Sequence, residues 1–401
     1  MHLNRLLLYI ICTLAYFENV MAVNQFNPDI SLVLDGQFVS YELDAEEYNL
    51  PGFAFGGEAA SLEEGFSLGH TELTINSNID HLFYGQLSIG LVEHDGTTEV
   101  DLEEAYIETL GLGEGFSIRA GRFSSAIGYQ NQQHSHVWDF ADTPLIYTSV
   151  WGETYLDDGV RLSWLAPTEL YLNFGVEAFS GGRYPAGGEK SDSIGSYVVY
   201  STFGDDIGTN HSWQMGLSYF SADVINRESS SYANESSLSS EDTGFTGDSD
   251  VYGINLVYKW APDGNTRTQN FKLQFEYFQV DESGVISLLD NVPLESSNYT
   301  GDQSGFYVQG LYQFTAYWHS ALRFDQLKSS NSADDLSVLN EANLNNNGVT
   351  PQRISAMLEW VPSQFSRVRL QYNIDESSDR KNNQIIIQYT MSMGAHGAHE
   401  F

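Results

Sequence analysis

The sequence predicts an all-β fold: a transmembrane antiparallel β-barrel of about 16 strands, with long external loops and short periplasmic turns. Three observations carry that expectation. Segments of about ten residues alternate apolar and polar side chains with period two, which puts one set on each face of an extended strand. The gaps between segments are alternately long and short, as they are when a chain runs up and down through a membrane. No stretch approaches the roughly 20 apolar residues that a spanning helix needs, and only helices and closed barrels satisfy their backbone groups in lipid.

The elements follow in chain order. Arg5, an apolar run from Leu6 to Phe17 and the small-residue site Val20-Met21-Ala22 read as a cleaved secretory signal peptide over 1–22. The single cysteine, Cys12, lies inside it, so the mature chain, 23–401, is expected to carry no thiol or disulfide. Strands are expected at 30–41, 66–77, 82–92, 99–110, 115–124, 158–166, 170–179, 194–203, 211–223, 250–260, 270–280, 304–314, 317–327, 352–361, 366–375 and 384–401. In 366–375, for example, Val368, Leu370, Tyr372 and Ile374 oppose Arg367, Arg369, Gln371 and Asn373. Short gaps such as Ala166-Pro167-Thr168-Glu169 and Val361-Pro362-Ser363 carry turn residues. Long polar gaps at 42–65, 125–157, 224–249, 281–303 and 328–351 are expected as external loops, and an even strand count puts both termini on the short-turn side. Trp164, Trp213, Trp260, Trp318 and Trp360 each lie within a few residues of a short turn, where an interfacial aromatic girdle belongs.

Composition narrows the function. A net charge of −37 excludes a nucleic-acid binder, which needs a basic surface. A mean hydropathy of −0.28 suits a barrel with water inside, because only alternate strand residues must be apolar. On that basis the apolar strand faces look out at lipid and the hydrated faces enclose a continuous aqueous bore. Pore-lining candidates on the inner face are Glu72, Glu104, Glu108, Glu177, Asp325 and Glu359 against Arg119, Arg161, Lys272, Arg323, Arg353, Arg367 and Arg369. Opposed acidic and basic walls would set a transverse field at a constriction. Acids without a basic partner crowd 42–65 and 281–303, a negative mouth that would concentrate cations.

Two local features stand out. Segment 125–157 carries Tyr129, Trp138, Phe140, Tyr147, Trp151 and Tyr155, too much apolar surface for a loop in water. It is expected either to fold into the barrel interior or mouth or to pack as a cap on neighbouring loops or on another subunit. Within it, His134 and His136 share a face of an extended segment, a metal-ligand spacing, with Asp139 and Asp142 close behind. Solvated loop histidines are the plainer alternative. The string Gly65-Phe66-Ser67-Leu68-Gly69 matches a hydrolase motif but enters a strand where a strand-turn-helix elbow is required, and His70 is expected on the opposite face from Ser67. No enzyme activity and no cofactor are expected.

Asn27-Pro28-Asp29-Ile30, Arg119-Ala120-Gly121-Arg122-Phe123 ahead of the long loop, and a last strand ending in Phe401 resemble Gram-negative outer-membrane porins, in particular the phosphate-selective-type superfamily. The resemblance implies a homotrimeric channel whose third loop enters the pore. It also implies contact with lipid and lipopolysaccharide, and recognition of the last strand by the barrel-assembly machinery. Phosphate selectivity is not implied, because 17 lysines and arginines in the chain leave little for an anion ladder. The reading is therefore a passive channel for ions and small polar solutes, leaning to cations. A metal-ion or specific-solute uptake channel is the alternative, and a barrel enzyme a weaker one. A plugged receptor is disfavoured because the first strand begins soon after Ala22.

Overall fold

A computed structural model describes residues 27–43, 48–57, 59, 61–94, 97–187, 194–230, 243–289, 291 and 293–394. The expected signal peptide, His396, His399 and Phe401 lie outside the described residues. All 16 expected strands form, in the expected order. They are β1 (Asp29–Tyr41), β2 in two pieces (Gly65–Leu68 and Thr71–Asn78), β3 (Phe83–His94), β4 (Thr97–Thr109), β5 (Phe116–Ser124), β6 (Leu156–Leu165), β7 (Tyr171–Phe179) and β8 (Ser196–Ile207). There follow β9 (His211–Ser229), β10 (Thr243–Trp260), β11 (Asn270–Leu288), β12 (Glu295–Thr315), β13 (Trp318–Ser329), β14 (Gln352–Ser363), β15 (Ser366–Glu376) and β16 (Asn382–Gly394). Each pairs antiparallel with its neighbours, and β1 pairs with β16 from Ser31↔Gly394 to Tyr41↔Gln384, so the sheet closes and has no free edge.

The wall is inside out relative to a soluble protein. On β13 Leu322 is 65% exposed while its neighbour Arg323 is 2% exposed, and β15 buries Arg367, Arg369, Gln371, Asn373 and Asp375 in strict alternation. The five turn-side tryptophans lie on the outside. Trp164 stacks between Phe116 and Phe174, and Trp318 pairs with Trp360 across β13 and β14, which builds the girdle.

Two expectations require correction. Residues 224–249 and 281–303, expected as loops, are in large part strand: β9 to β12 have 19, 18, 19 and 21 residues, against the roughly 9–11 that cross a bilayer. Beyond the membrane the outer face no longer has to be apolar, so Thr246, Ser283 and Asn298 face out and the alternation fades from the sequence. Asp281, Glu295 and Asp302 are exposed on these extensions, while Glu282 turns inward to Arg227 at 2.7 Å. The inner face, secondly, is not uniformly hydrated. Phe123, Phe179, Val198, Phe220, Phe245, Phe278 and Leu327 all point inward on the loop-side half and form one apolar cluster. These residues form a dry interior because something apolar fills it.

Candidate functional site

The filler is the long loop after β5, here L3, residues 125–155. It folds inward, and the apolar cluster continues into segments 50–55 and 338–344, the second partly in a short helix, Leu336–Glu341. L3 contains its own helix, α1 (Leu145–Trp151), which Gly152 ends in the left-handed conformation at φ 61°. Trp151 stacks on Tyr155 and meets Phe220 and Phe278 edge-on, and Tyr155 packs on Phe179. Phe140 sits with Ala321 and Met357 under the Arg323 guanidinium. The aromatic content of L3 is thus accounted for by the barrel interior.

A buried loop must satisfy its backbone, and L3 does so on side chains of the wall. Glu276 on β11 accepts the N–H groups of Tyr129 and Gln130, each at 2.8 Å, and the Tyr147 hydroxyl at 2.9 Å. Glu177 on β7 takes Ala126 N–H at 3.0 Å, and Asp325 on β13 takes Leu145 N–H at the start of α1. From β15, Arg367 donates to the His136 carbonyl at 2.6 Å and Arg369 to that of Trp138 at 2.8 Å. Asp142 is held by Arg323 at 2.7 Å, Arg353 at 3.2 Å, Gln371 and Asn373. Burial alone would raise the Asp142 carboxyl, but Arg323 and then Arg353 outweigh it and hold the group down from 3.8 to about 2. L3 is therefore held across the lumen by acidic and basic side chains from several strands. On the turn side a cavity of about 130 Å³ remains, lined in part by Gln130, Asp139, Lys272 and Gln274.

A further attachment is made of imidazoles and carboxylates. Both His134 Nδ1 and His136 Nδ1 lie 3.1 Å from the same oxygen, Glu72 Oε2, on β2. The other ring nitrogen of His134 is 3.5 Å from Glu104 Oε2, which accepts from Gln86 at 2.8 Å, while Ser124 N–H donates to Glu104 Oε1. Burial disfavours the His134 cation, but Glu104 and Glu72 outweigh it and raise its pKa well above 6.5. His70, in the break of β2, lies 2.8 Å from Glu103 and 4.0 Å from Glu72. Glu103 and Glu104 are consecutive yet both turn inward, because a bulge in β4 opposite Ser88 and Ile89 inserts one extra residue. Ser67 pairs with Gln37, so the hydrolase string brings no Ser-His pair together.

All thirteen charged candidates of the inner face point inward, but they do not form an acidic wall facing a basic one. Arg119 binds Glu108 at 2.6 Å and Arg161 binds Glu177 at 2.5 Å on adjacent strands, and Arg369 binds Glu359 at 2.9 Å. Charges covered by L3 must be paired nearby, and neighbouring strands supply the partner. Asp139 and Asp142 are likewise engaged elsewhere and do not join His134 and His136. Sequence reasoning placed those two histidines and Glu72 but missed that they meet. It also missed His70, Glu103 and Glu276 as parts of this arrangement, since neither the break in β2, nor the bulge in β4, nor the docking of L3 on β11 is marked by residue type.

No family model matches the sequence. An uncharacterized protein of Aquifex aeolicus (strain VF5) is 30% identical over 418 residues, which cover 96% of this chain and 82% of that protein. The chain belongs to that protein's family. Among solved structures it is similar to OmpT of Vibrio cholerae in its trimer form, with TM-score 0.54, 10% identity and coverage of 92% of this chain and 100% of that one. It is also similar to the outer membrane channel DcaP of Acinetobacter baumannii, at 0.52, 12%, 92% and 97%. Salmonella typhi OmpF in complex with daunomycin gives 0.51, 13%, 92% and 98%. At these identities the likeness is one of fold, the porin-type 16-strand barrel. The similar structures are porins in general and not specifically phosphate-selective ones.

Proposed function

We propose that the protein is an outer-membrane channel for passive diffusion of ions and small hydrophilic solutes, with L3 as its constriction and a preference for cations. The observation that carries this reading is a closed barrel, apolar outside, whose third loop crosses the lumen on paired charges. The cation preference rests on exposed acids at the loop-side mouth, among them Glu42, Glu63, Glu64, Asp281 and Asp302, since a negative entrance raises the local cation concentration. Removal of a leader over 1–22, a homotrimeric state, contact with lipid and lipopolysaccharide, and delivery through a last strand ending at Phe401 belong to the same proposal. Glu72, Glu104, Glu108, Arg119, Arg161, Arg323, Arg353, Arg367 and Arg369 would line or frame the constricted passage.

Purified protein in a planar bilayer under a salt gradient tests it. Stepwise but small conductance is expected, with a reversal potential of the sign for cations. Replacing residues 127–153 with a short Gly-Ser linker is expected to raise conductance several-fold while heat-dependent gel mobility stays that of a folded barrel. Absence of steps in both forms would refute a channel. A second reading, uptake of one particular solute, is favoured by how completely L3 occupies the interior, and it predicts flux that saturates.

A further inference from the structure

We propose that the junction of L3 with the wall binds one late divalent transition cation of the zinc type, on His134 Nδ1, His136 Nδ1 and Glu72 Oε2. The two imidazole nitrogens each stand 3.1 Å from the carboxylate oxygen, and the three donor atoms lie within 4.8 Å of one another. Donors about 2.0–2.1 Å from one tetrahedral ion stand about 3.3 Å apart, so the two nitrogen–oxygen spacings need only slight expansion to admit the ion. Nitrogen and carboxylate donors of this mix suit zinc and its neighbours better than calcium or magnesium, which take oxygen.

The surroundings are those of a built site. Thr74 donates to Glu72 Oε1, which orients the other oxygen toward the histidines. Glu104 faces the remote nitrogen of His134, the carboxylate-histidine arrangement that fixes ring orientation around bound metals. His70 and Glu103 stand beside Glu72 and form a second overlapping donor set from which a fourth ligand can come. Gly90 makes the room: a Cβ there would lie 2.2 Å from Glu103 Oε1. His70 and His134 keep about 30% of their side-chain surface open, which gives the ion a path in from the lumen. A bound cation would tie L3 to β2 independently of the arginine wall.

The test is titration of the detergent-folded full chain with Zn²⁺ after chelation, read by calorimetry and by metal analysis after desalting. A parallel Co²⁺ titration is read by the intensity of its visible bands, which are strong only in tetrahedral sites. One ion per chain is expected, with tetrahedral Co²⁺ bands. The paired substitution His134→Gln with His136→Gln should abolish binding, Glu104→Gln should weaken it about 10–100-fold, and His81→Gln, in an exposed turn, should leave it unchanged. Heat-dependent gel mobility establishes that each variant is folded. No binding by wild type, or equal binding after loss of both histidines, overturns the proposal. So does binding with only octahedral Co²⁺ bands, since exposed carboxylates would account for it.

Discussion

Two neighbouring attachments of the same loop use different chemistry, and they meet at His136, whose carbonyl takes Arg367 and whose ring takes Glu72. On the β13 to β15 side, L3 is held by guanidinium groups that never deprotonate, reaching two backbone carbonyls and Asp142. On the β2 to β4 side it is held by two imidazoles on one carboxylate, groups that respond to protons and to metals. The first attachment is permanent under ordinary conditions. The second responds to protons and to metals, so this part of the constriction is joined to the wall by one attachment that is fixed and one that is adjustable.

The largest effect should come from the fixed attachment. Asp142→Ala takes a carboxylate from Arg323, which keeps Asp325 at 2.9 Å, and from Arg353, whose remaining carboxylates stand 3.9 Å away, so the cost should be about 3 kcal/mol, the low end for breaking a buried pair. Hydrogen exchange should then show L3 amides, Ala141 to Leu145 above all, opening about a hundredfold more readily while the strands stay protected; unchanged exchange would remove Asp142 as the anchor. Acid should do the same more gently. The folded Asp142 carboxyl is depressed from 3.8 to about 2, so its contribution is complete above pH 4 and is lost as pH falls through 2, to the extent of about 2 kcal/mol. Channel noise or conductance should rise in that window in wild type and be flat there in Asp142→Asn. Glu72→Gln, at the adjustable attachment, should be milder at about 1–2 kcal/mol, since only hydrogen bonds to a charged acceptor are weakened. Exchange should quicken around His134 to His136 and leave Ala141 to Leu145 unaltered.

The strand order and facing were legible in the sequence because lipid and lumen impose opposite demands on alternate residues. Arg367, Arg369, Gln371 and Asn373 reveal their side by parity alone. Legibility failed where those demands stop. Above the membrane, Thr246 and Ser283 face water on a strand and look like loop. On the inner face, Phe220 and Phe278 follow Tyr219 and Tyr277, so both faces are apolar, and period two does not say which ring looks outward. Those doubled aromatics mark where L3 docks, a partner 70 to 130 residues away in the chain. The site was half visible. His134 and His136 announce themselves, whereas Glu103 is turned inward by a bulge and His70 by a strand break, and neither distortion follows from residue type.

The smallest effect concerns that bulge. Gly90→Ala would put a methyl carbon 2.2 Å from Glu103 Oε1, the far end of a flexible side chain, so Glu103 should swing away from His70 at a cost below about 1 kcal/mol. The backbone there pairs regularly with β2, through Glu72↔Gly90, and the wall should not deform. His70 would lose its 2.8 Å partner while His134 and His136 keep Glu72. Modification of the folded protein with a histidine-selective acylating reagent should therefore speed up at His70 alone, with peptide mapping giving the site. Equal acceleration at His134 would mean that the two donor sets around Glu72 move as one unit, and that the adjustable attachment of L3 reaches through β2 to the bulge in β4.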